Sequence, residues 1–222
     1  MHRARRFPSW LTRQAYWLAA LLPLLIPLGW AVRGVPGFGL LYAWLSLLVL
    51  YVAIPLLDAA IGRDEHNPEP DEMPAGADNT VPLVAALSYF SVLAWALHTY
   101  AVHSHQFNAW DTLGWALSLA DLGGVVAINV AHELIHRRDR RMRALGGALL
   151  SCVWYPGFKL EHPRWHHLHV ATPADPSSAP LNSTIYRQVP RALVLNTIRG
   201  WKLGAEAAAA RGRPALMNEM WA

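Results

Sequence analysis

Long stretches without a charged residue dominate the first part of the chain. Four of them cover residues 14–32, 34–57, about 80–102 and about 112–131, the last of which contains a single acid, Asp121. Each stretch is close to the ~20 residues that a helix needs to cross a hydrocarbon core of about 30 Å. Because backbone groups in lipid must form hydrogen bonds within their own segment, the pattern predicts four transmembrane helices.

Beyond the fourth apolar stretch the pattern changes to shorter, mixed segments. Residues 144–158 are apolar but too short to cross a membrane, which predicts a re-entrant or interfacial piece. Residues 172–190 are rich in Pro, Ser and Asp and predict a loop, whereas residues 191–212 mix Arg, Trp and Ala and predict an amphipathic surface helix. The predicted fold is all-α: a polytopic membrane helical bundle of four transmembrane helices, followed by a cytoplasmic segment with one amphipathic helix.

Arginines mark the two ends of the predicted membrane region. Residues 1–13 hold four Arg, and residues 137–143 hold five. An even number of spans puts both ends on one side, which the positive-inside rule assigns to the cytoplasm together with the loop at 63–79. We therefore expect a multi-pass protein of a bacterial inner membrane with a cytoplasmic N-terminus. Residues 1–143 would form its transmembrane region and residues 144–222 a cytoplasmic or interfacial segment.

The composition agrees with a membrane protein and excludes several other classes. Hydrophobic residues make up 54% of the chain and charged residues 15%, against roughly a quarter charged in soluble domains. The net charge of +4 comes from clustered arginines, without the aromatic and basic pattern of a nucleic-acid module, so we expect no nucleic-acid partner. Cys152 is the single cysteine, so any metal must be held by His and carboxylates rather than by thiolates.

The first candidate site is the pentad His132-Glu133-Leu134-Ile135-His136, at the cytoplasmic end of the fourth span. Positions i and i+4 lie on one face of a helix, so both imidazoles can ligate one metal ion. The same HExxH pattern occurs in zinc metalloproteases, including those embedded in membranes, where Glu133 would be the general base for a zinc-bound water. A pair of interfacial histidines without any metal is the simplest alternative.

A second histidine cluster, EHPRWHH, occupies residues 161–167 and is predicted to return to the same side of the membrane. His162 and His166 share a helix face, and His167 lies about 100° further round, where it can reach a neighbouring metal or a second face. Five histidines in two cytoplasmic segments are hard to explain by packing, so the sequence predicts a metal site. Imidazole ligands suit Fe, Zn, Cu or Ni, and two clusters fit a pair of ions better than one.

Four stretches of the chain carry a resemblance to a known family. AHELIHRR (131–138), EHPRWHH (161–167), VATPADPSSAPLNSTIYRQVPR (170–191) and PLLDAAIGRDEHNP (55–68) resemble membrane alkane 1-monooxygenases. That family is related to xylene monooxygenase hydroxylases and, more distantly, to fatty-acid desaturases. The resemblance covers nearly the whole chain, and the block from residue 161 to residue 191 is its most specific part.

The resemblance implies a non-haem centre of two iron ions that uses O2 to hydroxylate the terminal methyl group of an alkane or alkylbenzene. The electrons would come from rubredoxin or ferredoxin, and the hydrophobic substrate would enter from the lipid bilayer. The implied iron ligands are His132, His136, His162, His166 and His167, with no catalytic residue beyond them. Around these ligands we expect Glu133, Glu161, His169 and Asp175. Asp175 matches an acid of the family that would orient a ligand histidine, whereas His169 matches no ligand of the family.

The sequence also departs from the family pattern in one large respect. The family continues with two further spans, a single ligand histidine and a third histidine box of HxxHH type, whereas this sequence ends at Trp221-Ala222. We therefore expect a C-terminally truncated member of the family, an incomplete fragment that carries five of the histidine ligands. A non-catalytic membrane remnant is the alternative that follows from this departure.

Two features inside the fourth span concern packing rather than chemistry. Asp121 precedes His132 by 11 residues, or roughly 16 Å along a helix. This separation is too great for both to ligate one metal, so we expect a structural hydrogen bond at Asp121. The pair Gly123-Gly124 is a candidate for a crevice that admits the substrate near the site, but close packing of membrane helices is the simpler interpretation, and we expect it here.

Overall fold

The computed structural model describes residues 16–62 and 79–221, and all regular secondary structure within these ranges is helical. The predicted all-α class is confirmed. The seven helices are α1 (Leu18–Val32), α2 (Tyr42–Ile61), α3 (Thr80–Gln106), α4 (Ala109–Ile135), α5 (Arg140–Cys152), α6 (residues 158–169) and α7 (Ile185–Ala209). A 3₁₀ turn at Glu219–Trp221 follows α7. The arginine-rich residues 1–13 and nearly all of the predicted loop at 63–79 lie outside the described residues.

Three of the helices are long and apolar enough to cross a membrane. These are α2 with 20 residues and α3 and α4 with 27 residues each. Helix α1 is apolar but shorter, and the predicted first span begins at residue 14, outside the described part of the chain. The membrane helical bundle is therefore supported, while the count of four spans stays a prediction.

Residues up to Val126 form one compact unit, in which polar side chains join the apolar helices. Tyr51 on α2 donates a hydrogen bond of 2.6 Å to the Asp121 carboxylate on α4, which confirms the structural hydrogen bond expected there. Ser118 on α4 donates to the Ala43 carbonyl of α2 at 2.8 Å. Hydrogen bonds of this kind hold membrane helices together where lipid offers polar groups no partner.

Helix α4 begins with a capping box and later contains a widened turn. The Asn108 side chain accepts a hydrogen bond from the Asp111 amide, and the Asp111 carboxylate accepts one from the Asn108 amide, which satisfies two otherwise free donors. Residues Gly123–Ile128 form a π turn. A Cβ added at Gly124 would meet no atom within 4 Å, so the close packing predicted for Gly123-Gly124 is wrong at Gly124. The glycine lies instead in the π turn, a feature often found near functional sites.

The second compact unit, from Ala127 onward, contains the end of α4 together with α5, α6 and α7. Leu134, Leu149 and Leu150 are fully buried in its core. The piece predicted at residues 144–158 is largely helix α5, which begins earlier because the Asp139 side chain caps it by accepting from the Arg141 amide at 2.8 Å. The division of the chain at residue 143/144 concerns the membrane boundary and stays a prediction.

Helix α7 begins six residues before the predicted amphipathic helix, so the loop predicted over 172–190 is wrong after Thr184. Pro190, which suggested a loop, lies inside the helix. The Gln188 side chain bonds to the Pro176 carbonyl at 2.8 Å, and this contact fixes the first turn against the preceding loop. Tertiary contacts thus override the low helix propensity of this segment.

Glycines on α7 allow a close approach to the start of α6. A Cβ added at Gly200 would lie 2.5 Å from the Gly157 carbonyl oxygen and 2.7 Å from the Gly157 Cα. A Cβ at Gly204 would lie 1.6 Å from the Asn218 Oδ1 atom. Only a residue without a side chain fits at these two positions. The backbone of α7 is thereby packed directly against the segment that carries the second histidine cluster.

Candidate metal centre

The first histidine pair lies at the C-terminal end of α4. His132 is in the last turn and His136 is the residue that caps the helix. Their ring centroids are 5.0 Å apart, as the i, i+4 spacing on one helix face requires. His132 is half-buried and His136 is exposed, so the pair reaches from the interior of the unit to its surface.

The second cluster is held in a π turn over residues His162–His166. Pro163 lies at the start of this turn and has no backbone N–H, while the His167 amide bonds to the His162 carbonyl five residues earlier. The wider turn places His162 and His167 side by side, with 4.6 Å between ring centroids and 3.0 Å between Nε2 atoms. Of the two positions expected for His167, a neighbouring metal or a second face, this turn favours the first, because it brings His167 beside His162.

The two clusters converge on one point. The Nε2 atoms of His132 and His162 are 2.7 Å apart, and ligand atoms of His132, His136 and His162 all lie within 4.8 Å of one another. Two nitrogens bound to one ion at about 2.1 Å and at a right angle would be about 3.0 Å apart. The separation of the His132 and His162 nitrogens is thus close to that of adjacent ligands on a shared metal ion, and His136 lies near enough to join them.

His166 and His167 extend the cluster beyond the first three histidines. The His167 ring lies 4.9 Å from that of His136, and the His166 ring lies 5.1 Å from that of His162, centroid to centroid. All five predicted ligands thus form one continuous group of imidazoles within the second unit. A group of this size offers more nitrogens than a single tetrahedral ion uses.

The protonation of the cluster suits metal binding. Burial, together with the neighbouring imidazoles, lowers the pKa of His162 to about 3. The pKa of His136 is also lowered, by burial first and then by His132 and His167. Imidazoles must be neutral to ligate a metal, so these rings are in the required form at neutral pH.

A carboxylate fixes the orientation of His166. The Nδ1 atom of His166 is 2.9 Å from the Oδ2 atom of Asp175, whose side chain is fully buried. Burial alone would raise the pKa of Asp175, but hydrogen bonds from Ser178, the Ser177 amide and His166 outweigh it and keep the pKa below its usual value. An ionised Asp175 accepts a hydrogen bond from the Nδ1–H group of His166 and leaves Nε2 of His166 free for a metal.

Glu161 is a buried acid beside the histidines without a hydrogen-bond partner in the described part of the chain. Its side chain is fully buried, and neither carboxylate oxygen has a hydrogen-bond partner among the described residues. Burial, with Asp175 as a second cause, raises its pKa to about 7. Buried carboxylates are normally paired with a cation or hydrogen-bonded. An orphaned acid beside a cluster of neutral imidazoles fits a site that is completed by metal cations.

Sequence comparison identifies the segment that contains this cluster. The family model described as fatty acid desaturase matches residues 108–219, about half of the chain, from the cap of α4 to the end of the second unit. The chain belongs to the fatty acid desaturase family.

Curated relatives of this desaturase-family chain are monooxygenases. It is 34% identical to alkane 1-monooxygenase 2 of Pseudomonas aeruginosa over 221 residues, which cover 97% of this chain and 56% of the relative. It is 36% identical to alkane 1-monooxygenase 2 of Alcanivorax borkumensis over 85% of this chain and 50% of that protein. The xylene/toluene monooxygenase hydroxylase component of Pseudomonas putida is 27% identical over 81% of this chain and 48% of its own length.

These matches confirm the resemblance to alkane 1-monooxygenases and to the xylene branch. The chain spans about half the length of the curated relatives it matches.

Two residues expected around the ligands of this desaturase-family site contact other groups instead. The Glu133 carboxylate is exposed and forms an ion pair with Arg137, one turn further along the chain. His169 stacks on Trp165 with 3.9 Å between ring centroids, and its Nδ1 atom is 2.9 Å from the Trp165 carbonyl oxygen. The zinc-protease alternative needs Glu133 as a general base beside the metal, and its pairing with Arg137 does not favour that alternative.

The desaturase-family site also contains features that the sequence did not reveal. A cavity of about 290 Å³ adjoins the histidines and is lined by Ile128, Asn129, His132, Phe158, His162, His166 and Ser177. Phe158 stacks on the His162 ring at 4.6 Å between centroids, and its position one helical turn before His162 is the signal that could have found it. Asn196 on α7 donates a hydrogen bond to Ser177, in the loop that carries Asp175. Sequence spacing carries no signal for such a long-range contact.

Proposed function

We propose that this chain provides the metal-binding part of a non-haem di-iron membrane monooxygenase, which hydroxylates the terminal methyl group of an alkane. The observation that carries the proposal is the convergence of imidazoles from two chain segments, with Nε2 atoms 2.7 Å apart for His132 and His162 and 3.0 Å apart for His162 and His167. Since the chain covers about half of its relatives, the full activity is proposed for the protein to which this sequence belongs.

The donor set supports a site for two iron ions rather than one. His132, His136 and His162 form one group of three nitrogens, and His166 and His167 add two more next to it. The ionised Asp175 and the orphaned Glu161 supply negative charge against the ions. When bound, the iron pair would supply the activation of O2, a chemistry that imidazole-ligated iron supports.

The cavity beside the histidines supports a hydrocarbon substrate. Ile128 and Phe158 give it apolar walls, while His132, His162 and His166 form the side that faces the metal ligands. Ligand sites of this kind are mostly apolar with few polar groups. A volume of about 290 Å³ suits the end of a chain rather than a large molecule. The apolar walls would hold the terminal methyl group against the ligand side.

The membrane helices support delivery of this substrate from the bilayer. Helices α2, α3 and α4 are long and apolar enough to span, and α4 leads directly to His132. Alkanes and alkylbenzenes partition into hydrocarbon by the hydrophobic effect. We place the histidines on the cytoplasmic side of a bacterial inner membrane, as the arginine clusters indicate.

The electrons for this chemistry would come from rubredoxin or ferredoxin, as the family resemblance implies. His136 and His167 are exposed, whereas the cavity is lined by His132, His162 and His166. The histidine group therefore has a solvent side and a cavity side. A soluble electron donor would approach the solvent side while the hydrocarbon occupies the cavity.

Metal analysis of the detergent-purified chain tests the proposal. We expect iron as the bound metal, at more than one ion per chain. His136→Ala should lower the iron content, because it removes one of three converging nitrogens, whereas His169→Ala should leave it unchanged, because His169 contacts Trp165. One zinc per chain, or iron that survives His136→Ala, would contradict the proposed function.

A further inference from the structure

The loop that carries Asp175 is held in place by α7. Gln188 and Arg191 donate hydrogen bonds to the Pro176 carbonyl at 2.8 and 2.9 Å. A third contact comes from Asn196, further along the helix, and reaches Ser177. The carboxylate that faces His166 is therefore positioned by contacts from a distant helix as well as by its own loop.

Asn196 is the most buried of the three α7 side chains, with 1% of its surface exposed. Its Nδ2 atom donates to the Tyr155 hydroxyl at 2.9 Å and to the Ser177 Oγ atom at 2.8 Å. Both hydrogens of the Asn196 amide are thus used, one in the bond to Tyr155 and one in the bond to Ser177. An amide fits this position because it offers two donors from one atom in a fixed plane.

Ser177 connects Asn196 to the Asp175 carboxylate. Its backbone amide donates to the Oδ1 atom of Asp175 at 3.0 Å, and Ser178 donates to Oδ2 at 2.5 Å. The same Oδ2 atom is 2.9 Å from Nδ1 of His166. With Oδ1 held by the Ser177 amide, the carboxylate plane is fixed and Oδ2 faces the imidazole. The path from Asn196 to His166 consists of three direct hydrogen bonds and the short backbone of the loop.

We propose that Asn196 is a positioning residue for the metal centre, which acts through Ser177 and Asp175 to keep the Nδ1 atom of His166 protonated and its Nε2 atom free to bind metal. The inference rests on the proposed metal-binding function. Hydrogen-bond partners behind a metal ligand commonly change metal affinity by 10–100-fold when they are lost. Asn196 lies one step further from the ligand, so its effect should lie near the lower end of that range.

Two variants separate this role from a general effect on folding. Asn196→Leu removes both donors at similar volume, and Ser177→Ala removes only the hydroxyl between Asn196 and the loop. Asn218→Ala is the matched control, because Asn218 is also buried and bonds to α7 through the Trp201 carbonyl at 3.0 Å. That bond leads to no histidine. All three variants lose a buried hydrogen bond at α7, and two of them lie on the path to His166.

The first readout is the tautomer of His166 in the metal-free chain. It is measured by the ¹⁵N chemical shifts of histidine-labelled protein in nanodiscs, and the His166 signals are assigned by their absence in His166→Gln. We expect Nδ1-protonated His166 in the wild type and in Asn218→Ala. Asn196→Leu and Ser177→Ala should each give a mixture of tautomers, and the double variant should give no more than either alone, because both break one path. An unchanged His166 signal in Asn196→Leu would overturn the inference.

The second readout is the release of Co²⁺ from the loaded chain to a chelator, followed by the cobalt absorption bands. Asn196→Leu and Ser177→Ala should release Co²⁺ about tenfold faster than the wild type, and Asn218→Ala at the wild-type rate. Equal release rates for Asn196→Leu and Asn218→Ala would also overturn the inference. If the wild-type chain binds no Co²⁺, the proposed function fails, and the tautomer measurement still decides the role of Asn196.

Discussion

The Nε2 atoms of His162 and His167 lie 3.0 Å apart although the two residues are separated by five positions along the chain. A regular α-helix places neighbours three or four residues apart, so this contact depends on the π turn over His162–His166. The turn widens the helix by one residue and brings a third histidine of the second cluster onto the shared point. The geometry of the metal centre is thus set by a local irregularity of the backbone.

Replacing Pro163 tests this dependence. In Pro163→Ala the residue regains a backbone N–H and can form the regular bond to the preceding turn, which favours an α-helix over the π turn. On a regular α-helix His167 would lie about 140° round from His162. We expect metal affinity to fall by about tenfold, measured by metal titration. Far-UV circular dichroism should show unchanged helix content, and unaltered affinity would contradict the role of the turn.

The Glu161 carboxylate should destabilise the folded state of the metal-free chain. Its carboxylate is fully buried and has no hydrogen-bond partner in the described part of the chain, and a buried unpaired acid destabilises the folded state. Glu161→Gln should therefore stabilise the metal-free chain at pH 8, by on the order of 1 kcal/mol. The same variant should bind metal more weakly. Thermal unfolding with and without metal measures both effects, and a lower Tm of the metal-free variant would count against this role.

Acid should weaken the attachment of the C-terminal turn. Glu219 forms ion pairs with Arg164 and Arg211, and the hydrogen bond from Arg164 is the main cause that holds its pKa below the usual 4.5. A depressed carboxyl pKa contributes stability above the unfolded value, and this is lost as the pH falls through the folded value. The loss should stay within about 1 kcal/mol, because Glu219 is partly exposed.

The measurement for Glu219 is thermal unfolding between pH 7 and pH 3.5. Glu219→Gln should be less stable than the wild type at pH 7 and should show a smaller fall in Tm below pH 4.5. Glu206 is the matched control position. It is an exposed acid of the second unit that takes no part in the ion pairs of the described residues, so Glu206→Gln removes a charge without breaking one. Parallel pH curves for the wild type and Glu219→Gln would contradict the prediction.

The contact between α6 and α7 should not tolerate a side chain at Gly200. A Cβ there would lie 2.5 Å from the Gly157 carbonyl oxygen, so Gly200→Ala must push the two backbones apart. We expect a loss of about 1–3 kcal/mol in unfolding free energy together with weaker metal binding, because α6 carries the second cluster. Gly124→Ala is the control, since a Cβ there meets no atom within 4 Å. Equal unfolding curves for both variants would disprove the close contact.

The cavity wall should select the length of the hydrocarbon in the whole protein. Ile128 lines the cavity without being one of the histidine ligands. Ile128→Ala should shift the preference towards longer or bulkier substrates, and Ile128→Phe towards shorter ones. One methylene group in an apolar pocket changes kcat/KM by roughly 10–200-fold. Competition between n-alkanes of different length, followed by product analysis, measures the shift. An unchanged product profile in both variants would show that Ile128 does not contact the substrate.

The sequence predicted the helical class, the membrane helices and the five converging histidines, since apolar runs and i, i+4 pairs are local patterns. It placed His132 next to His136 correctly because α4 remains regular at that end. It did not predict the position of His167 beside His162, because the number of residues per helical turn changes at Pro163, and composition does not show where a helix widens. The start of α7 was missed for a related reason, since Gln188 and Arg191 are fixed by the distant Pro176 carbonyl.

The residues that hold Asp175 behind His166 could not be predicted from the sequence. Asn196 and Ser177 are 19 positions apart in sequence and meet only after α7 folds back over the loop. Glu161 was singled out by its place before His162, but its lack of a partner is a property of the folded core. The sequence thus indicates the groups that bind metal and, through the family resemblance, Asp175 beside His166, but not the residues that hold Asp175 in place.

The π turns at Gly123–Ile128 and His162–His166 each directly precede or contain a histidine cluster. A π turn corresponds to one extra residue in an otherwise regular helix. Removal of a single codon from either segment would restore ordinary helical spacing while every histidine remained encoded. Because a π turn absorbs its extra residue locally, such a three-nucleotide deletion would leave the helix on either side in phase, so a homologue can hold the same imidazoles with one residue fewer in either segment than this chain has.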